Sequence, residues 1–434
     1  MIRITLRNSG GLCAAGLIAA LPLPAAAWTE VHRGPDHNVY IDIPAAVTDL
    51  TAPPAWVTGE ESIAAGCRPI IGDGRVYTVA TAEDPEERVR IKAFASADGA
   101  LLAESVDLDV GSFVSFESQS APAYDPDTDT LFFNTGSTVY SLDGETLAIN
   151  WSTTLDATNT DDEPGAMYGF VNASPALGAG RVFVNTFDSG FGVEGSQVVG
   201  LDAETGAVEW YARTGGRGAH SPLFVDHATA GAIVVVEHQE TLNALGFAAF
   251  DADGTGEASP LWTSTWTVET GSGVHGLWGD LLTDGEHVYT VTSDFTNGRL
   301  VRFAAEDGAL EYDLPVPASD MPPVLTPDGL FALHWDGTLR RYDPEDGEEQ
   351  ASTSIAGEFF RDYPAFVQDG LYVAVPGEGL LLFGHDGAEQ SSAPGYTGVV
   401  SVDASDGAVY IGVDGGRLAR LAAPTRVRDW EGLR

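Results

Sequence analysis

Residues 174–210 read SPALGAGRVFVNTFDSGFGVEGSQVVGLDAETGAVEW, and the order of signals in this stretch decides the fold. A Pro precedes a short apolar strand, which a Gly turn separates from a second strand ending in Val182-Phe183-Val184. A loop follows, then the strand QVVGLD, the turn AETG and a last strand that carries Trp210. The pattern predicts four short strands joined by Gly/Asp turns, with no helical periodicity. Gly and Asp suit such turns because they tolerate positive φ and satisfy free backbone groups.

Parts of this unit recur along the chain. Its opening returns as PIIGDGRVYTV from Pro69, PAYDPDTDTLFF from Pro122, PLFVDHATAGAIVVV from Pro222 and DLLTDGEHVYTV from Asp280. Later copies are PVLTPDGLFAL from Pro323, PAFVQDGLYVA from Pro364 and VDASDGAVYIG from Val402. Its closing strand and turn recur as KAFASADG, YSLDGETL, AAFDADGTG, VRFAAEDG, RRYDPEDG, LLFGHDG and ARLAAPT. Trp151, Trp210 and Trp262 follow three of these turns, and Tyr312 takes the equivalent place in another.

Eight openings therefore match eight closings. One four-stranded sheet cannot bury both of its faces, whereas units stacked radially around an axis cover each other. The expected fold is all-β: an eight-bladed β-propeller of four-stranded blades, filling residues 28–434 as a single domain. Pro53 to Gly59 looks like an outer strand without inner partners, and Val402–Leu421 looks like three inner strands without an outer one. Pairing them closes the ring with Trp56 on the outer strand of the last blade. Arg426 to Trp430 is a rival for that place, disfavoured because the sequence ends four residues later.

Residues 1–27 read as a cleaved export signal. Arg3 and Arg7 precede an apolar stretch from Leu12 to Leu23 and a small-residue ending at Ala25-Ala26-Ala27. The expected location is periplasmic or secreted, without membrane insertion. Cys13 follows Leu12 rather than a small residue, which argues against a lipid anchor. Cleavage leaves Cys67 alone, so no internal disulfide forms and a large core must hold the domain together.

The chain has 64 acidic and 21 basic residues, a net charge of −43 that becomes −45 without Arg3 and Arg7. Such a surface repels nucleic acid and anionic lipid, which excludes both as partners. The acids are spread over turns, as a solvation adaptation would place them. We expect a monomer.

The pattern LDAETGxxxW, with SPxxxxGRVxV, resembles the PQQ-repeat superfamily of propellers. That group includes quinoprotein alcohol dehydrogenases, the propeller subunit of the outer-membrane barrel-assembly machinery (BamB) and many exported propellers of unassigned role. Trp28 to Asn38, WTEVHRGPDHN, looks like the opening segment of those unassigned members. The quinoprotein branch implies a calcium-bound PQQ in the central channel, held by Glu, Asn and Asp, often under a disulfide of adjacent cysteines. This chain has no adjacent cysteines, and the ligand set cannot be placed residue by residue.

In a propeller, the loops leading into the inner strands open on one face around the channel. Aligned on the opening Pro, that mouth receives Cys67, Arg68, Gln119, Ser120, Asn172, Ser174, His220, Ser221, Trp278, Asp280, Asp320, Met321, Arg361, Asp362 and Tyr363, with Trp335 among neighbouring aromatics. Gln119, Asn172, His220, Trp278, Asp280, Arg361, Asp362 and Tyr363 are the candidates for contact with a ligand or partner. No histidine pair has metal-ligand spacing, although His220 and His275 occupy equivalent loops. Asp125, Asp127 and Asp129 imitate the start of a calcium loop, but Thr130 and Gly136 stand where Gly and Glu are required, which leaves an acidic hairpin turn.

No catalytic motif and no metal site can be singled out. The expectation is a non-catalytic propeller that binds a protein, peptide or glycan on its loop face, without a cofactor. The alternative is an oxidoreductase dependent on PQQ and calcium.

Overall fold

A computed structural model describes residues 33–59, 63–64, 67–81, 88–109, 121–135, 137–155, 174–186, 196–214, 221–241, 244–267, 280–293, 297–319, 321–355, 364–375, 377–413 and 415–423. They form eight sheets, each built on four antiparallel strands running from an inner to an outer one. Blades 1 to 4 begin on the inner strands Ile70–Gly72, Ala123–Asp125, Ala176–Gly178 and Leu223–His227. Blades 5 to 8 begin on Leu281–Thr283, Val324–Thr326, Ala365–Val367 and Tyr396–Val402. The eight-bladed propeller expected from the repeat is present.

The core lies between blades. Phe132 and Val139 of blade 2 pack with Val182, Val184 and Val199 of blade 3. Phe183 and Trp210 of blade 3 pack with Val234, Val236 and Phe250 of blade 4. Alternation along each strand sends side chains to two faces, so every blade serves two such layers.

A repeated contact ties each outer strand to the next blade. The indole N–H groups of Trp151, Trp210 and Trp262 donate to Ala203, Ala252 and Ala305 carbonyls at 3.0, 3.2 and 2.9 Å. Each acceptor follows the closing strand of the neighbouring blade. Gly206, at φ +72°, lies under Trp151, and a Cβ there would sit 2.5 Å from the ring. The turn glycine thus has two jobs, positive φ and close approach.

The acids have a local role here too. Asp202 Oδ1 accepts from the Thr205 amide and hydroxyl, both at 2.7 Å, and Asp143 does the same for Thr146. These bonds hold both carboxyls below the usual range. Part of the negative charge therefore fixes turns. Asp125 likewise accepts from Asp127 N and Thr128 Oγ1, while Asp129 holds Arg75 and the Tyr124 hydroxyl, as an acidic hairpin turn should.

The ring closes as the sequence indicates. Trp56–Val57 pairs antiparallel with Arg420 and Ala419, making it the outer strand of blade 8. Trp56 also donates to Ser96 O at 3.0 Å, against the turn of blade 1 that holds Gly99. The Trp contact thereby continues across the join. Residues 426–430, the rival segment, fall outside the described residues.

One boundary needs correcting. The inner strand of blade 8 is Tyr396–Val402, so Val402 ends it rather than opening it. An irregularity between Thr397 and Ser401 breaks the alternation that would have marked its start.

The N-terminal segment also does more than close the ring. Tyr40–Ile41 lies parallel to the inner strand Ala365–Val367 of blade 7. Upstream, Asp36 O accepts from Thr283 N at 3.0 Å and His37 Nδ1 lies 3.1 Å from Leu281 O, both on the inner strand of blade 5. Asn38 Nδ2 donates to Leu325 O of blade 6 at 2.9 Å. Residues 36–43 thus occupy the channel-side edges of three consecutive blades, edges that would otherwise be unpaired.

Candidate functional site

Side chains join the entrances of the inner strands, among them Arg68 and Ser174, which the alignment assigns to the mouth, and Ser401, which it does not. Arg68 is fully buried and its Nη2 reaches Pro364 O at 3.4 Å, linking the entrances of blades 1 and 7. Ala121 N donates to Ser174 Oγ at 2.8 Å, and Ser401 Oγ donates to Pro69 O at 2.7 Å. Cys67 is buried, which pushes its thiol up to about 12 and keeps it protonated.

Blade 6 offers the best-defined part of the rim. Ser319 Oγ donates to Leu333 O at 2.8 Å, and Trp335 N donates to Ala318 O at 3.0 Å. His334 is buried between Pro317 O, 2.9 Å from Nδ1, and the Tyr342 hydroxyl, 3.1 Å from Nε2. Desolvation is the main cause that lowers its pKa to about 4, so this imidazole is neutral at pH 7. Its Nδ1 proton ties the rim segments at 317 and 334, its Nε2 accepts from Tyr342 on the strand Thr338–Tyr342, and Trp335 is left half-buried at the surface.

Among the candidate residues, Asp280 is described: it is buried at the entrance to blade 5, and its carbonyl accepts from Thr290 Oγ1 at 3.1 Å. Gln119, Asn172, His220, Trp278, Arg361, Asp362 and Tyr363 lie outside the described residues, as do His275 and Asp320. Met321 is buried beside Ser319.

A second set of polar groups was not anticipated. Blades can be aligned through the partners of the outer-strand aromatic. Trp151 faces Ser141, which faces Phe132; Trp210 leads in the same way to Phe183, and Trp262 to Val235. Two residues onward, toward the mouth, stand Asn134, Asn185 and Glu237, with exposures of 1, 2 and 2 %. Their cross-strand neighbours Val139, Val198 and Phe247 are apolar. Blades 1, 5, 6, 7 and 8 place Val79, Val291, Leu333, Ala374 and Gly412 at this position. Three consecutive inter-blade layers therefore carry a buried polar group where the others are apolar.

Residues 85–254 match the family model described as outer membrane protein assembly factor BamB. The chain shares the eight-bladed propeller fold of the solved structures that it resembles. No curated protein sequence matches this chain significantly. Among solved structures it is similar to quinohemoprotein alcohol dehydrogenase from Comamonas testosteroni, at TM-score 0.67 and 11% identity over 91% of this chain and 80% of that one. It is also similar to BamB from Moraxella catarrhalis, at TM-score 0.56 and 15% identity over 84% and 96% of the two chains. A europium-containing methanol dehydrogenase gives TM-score 0.64 and 13% identity over 90% and 89%. At these identities the likeness concerns the fold, which catalytic and non-catalytic propellers share.

Proposed function

We propose that this PQQ-repeat propeller is an exported, non-catalytic module that binds a protein, peptide or glycan through its loop-rich face. The observation that supports this most is the course of residues 36–43, which cover the channel-side edges of blades 5, 6 and 7. With part of the channel wall occupied by the chain itself, we place binding at the rim. The BamB match over residues 85–254 agrees with such a role.

Two features of the chain weigh on the side of a binding module rather than the quinone and calcium of the alternative. Calcium needs its oxygen ligands within about 2.6 Å of one point. Asn134, Asn185 and Glu237 lie in separate inter-blade layers, and stacked sheets stand about 10 Å apart. Among the described residues no three His, Cys, Asp or Glu side chains gather as a metal would require. Cys67 has no neighbouring cysteine with which to cover a cofactor.

The test is mild cross-linking in the exported fraction, followed by purification and mapping of the linked residues. The expected result is a stoichiometric macromolecular partner linked to mouth loops. Purified protein carrying bound quinone and calcium, with no such partner, would reverse the reading.

A further inference from the structure

We propose that the outer edge of blade 1, from Leu101 to Val106, is the surface on which two copies of this chain pair edge to edge in a weak two-fold dimer. The inference concerns a second surface and does not depend on the binding role of the mouth.

Apolar exposure is concentrated on this edge. Leu101, Leu102 and Val106 are 52, 53 and 64 % exposed. The outer hairpins of blades 2 to 5 each show one exposed large apolar side chain among the described residues, at Ile149, Val208, Leu261 and Leu310. Those of blades 6 and 7 open their last strands on Glu349 and Glu389. Charge is a usual guard against edge pairing, and blade 1 opens instead on two leucines.

The edge also carries a free ladder. Leu101, Ala103 and Glu104 pair inward with Phe94, Ala93 and Lys92, and among the described residues no strand lies on the other side. Leu108–Asp109 turns back to Arg88 and Val89 on the inward side. Outer edges of this propeller do accept a further strand. Gly256–Glu257 lies parallel to Trp210 and Tyr211 of blade 3, and Ala258 N donates to Tyr211 O at 2.8 Å.

Charge identifies the occupant. Arg88, Arg90 and Lys92, the last being the only lysine of the chain, alternate along the strand behind the edge and balance Asp98, Glu104 and Asp107. Arg90 Nη1 lies 3.1 Å from Glu104, Arg90 Nε meets Asp107, and Arg88 Nη1 lies 3.7 Å from Asp107. The corresponding hairpin of blade 2, residues 138–155, has Asp143 and Glu145 with no cation. That of blade 4, residues 244–267, has Asp251, Asp253 and Glu257 with none. Two chains of net charge −43 repel wherever their acids face each other. A neutral, apolar hairpin is where a second copy can approach, whereas a basic segment would be drawn to the acidic hairpins. Antiparallel pairing about a two-fold axis sets the apolar residues of one edge against those of the other. Four strand residues span only about 14 Å, and stable interfaces bury about 1,600 Å², so the pair is weak.

The experiment is sedimentation velocity of the secreted protein from about 1 to about 500 μM, the range in which weak pairs form. It is run at 0.15 and 1 M sodium chloride, with hydrogen exchange at both ends of the concentration range. The expected result is a monomer–dimer equilibrium that strengthens at 1 M salt, where repulsion between copies is screened. Amides of residues 101–107 should gain protection as the dimer forms. Replacing Leu102 and Val106 together by Ser should weaken association at least tenfold, while Leu310→Ser, on the equivalent hairpin of blade 5, leaves it unchanged. A single monomeric species throughout would overturn the proposal. So would a dimer that ignores the double substitution or protects a different surface. Protection of residues 101–107 only when a basic strand-forming peptide, alternating Val and Lys, is added would give the edge to another occupant and overturn it too. If the double variant fails to fold, the exchange map of the wild type still decides.

Discussion

Replacing Trp56 by Ala probes the closure of the ring. Its half-buried indole stacks over the blade 1 turn at Gly99, lies 5.9 Å from the Tyr410 ring and donates to Ser96 O at 3.0 Å. Truncating a fully buried Trp costs about 3–5 kcal/mol, so a half-buried one loses about 2. The lost hydrogen bond adds about 1 kcal/mol. At about 2.1 cal/mol/K of unfolding entropy per residue, roughly 400 residues convert this 3 kcal/mol into a fall in Tm of about 4 °C. Trp151→Ala removes the equivalent contact inside the chain, with its 3.0 Å bond to Ala203 O, and should cost a similar amount. The two variants should differ in local opening. Trp56–Val57 is a two-residue strand held by Arg420 and Ala419, flanked by bonds from Ala55 and Thr58. Its loss should expose residues 53–64 to limited proteolysis well below the global melt, whereas Trp151→Ala should not. A Trp56→Ala protein that melts within 1 °C of wild type and resists proteolysis would refute closure by the N-terminal strand.

Two further outcomes follow from charge. His334 has a folded pKa of about 4 against an unfolded value near 6.5, so the unfolded chain binds the extra proton between those values and stability falls as pH drops through the window. From pH 7 to 4.5 wild type should lose roughly 2–3 kcal/mol more than His334→Gln, measured by denaturant unfolding; parallel curves would show that the imidazole is not held neutral. Net charge of −43 implies self-repulsion screened over about 10 Å at 0.1 M salt, so Tm should rise as sodium chloride goes to molar concentration. A flat or falling Tm would mean that bound cations already neutralise the acids.

The repeat made the blades legible because each turn repeats its Gly or Asp and each outer aromatic keeps its place. Trp56 was recognisable as a strand without a sheet for the same reason. The channel segment was not. Tyr40–Ile41 is a two-residue strand in a Pro- and Asp-containing stretch, and its partner lies more than 320 residues away, so no local period announces it. The start of blade 8 was hidden by its bulge near Gly398. Candidate site residues were sought in loops that precede inner strands, and Asp280 is indeed at such an entrance. Asn134, Asn185 and Glu237 instead stand within strands, at a position where packing predicts an apolar residue. Aligning LFFNT, VFVNT and VVVEH on their second strands brings the three into one column, so the signal was there to be read.

The account turns on whether this propeller is a binding module or a quinoprotein, and reconstitution tests that directly. The secreted protein is titrated calorimetrically with PQQ in the presence of calcium and assayed for dye-linked oxidation of alcohols and sugars. The predicted result is no saturable quinone binding and no turnover. Micromolar PQQ binding with turnover would contradict the account and make the protein an oxidoreductase.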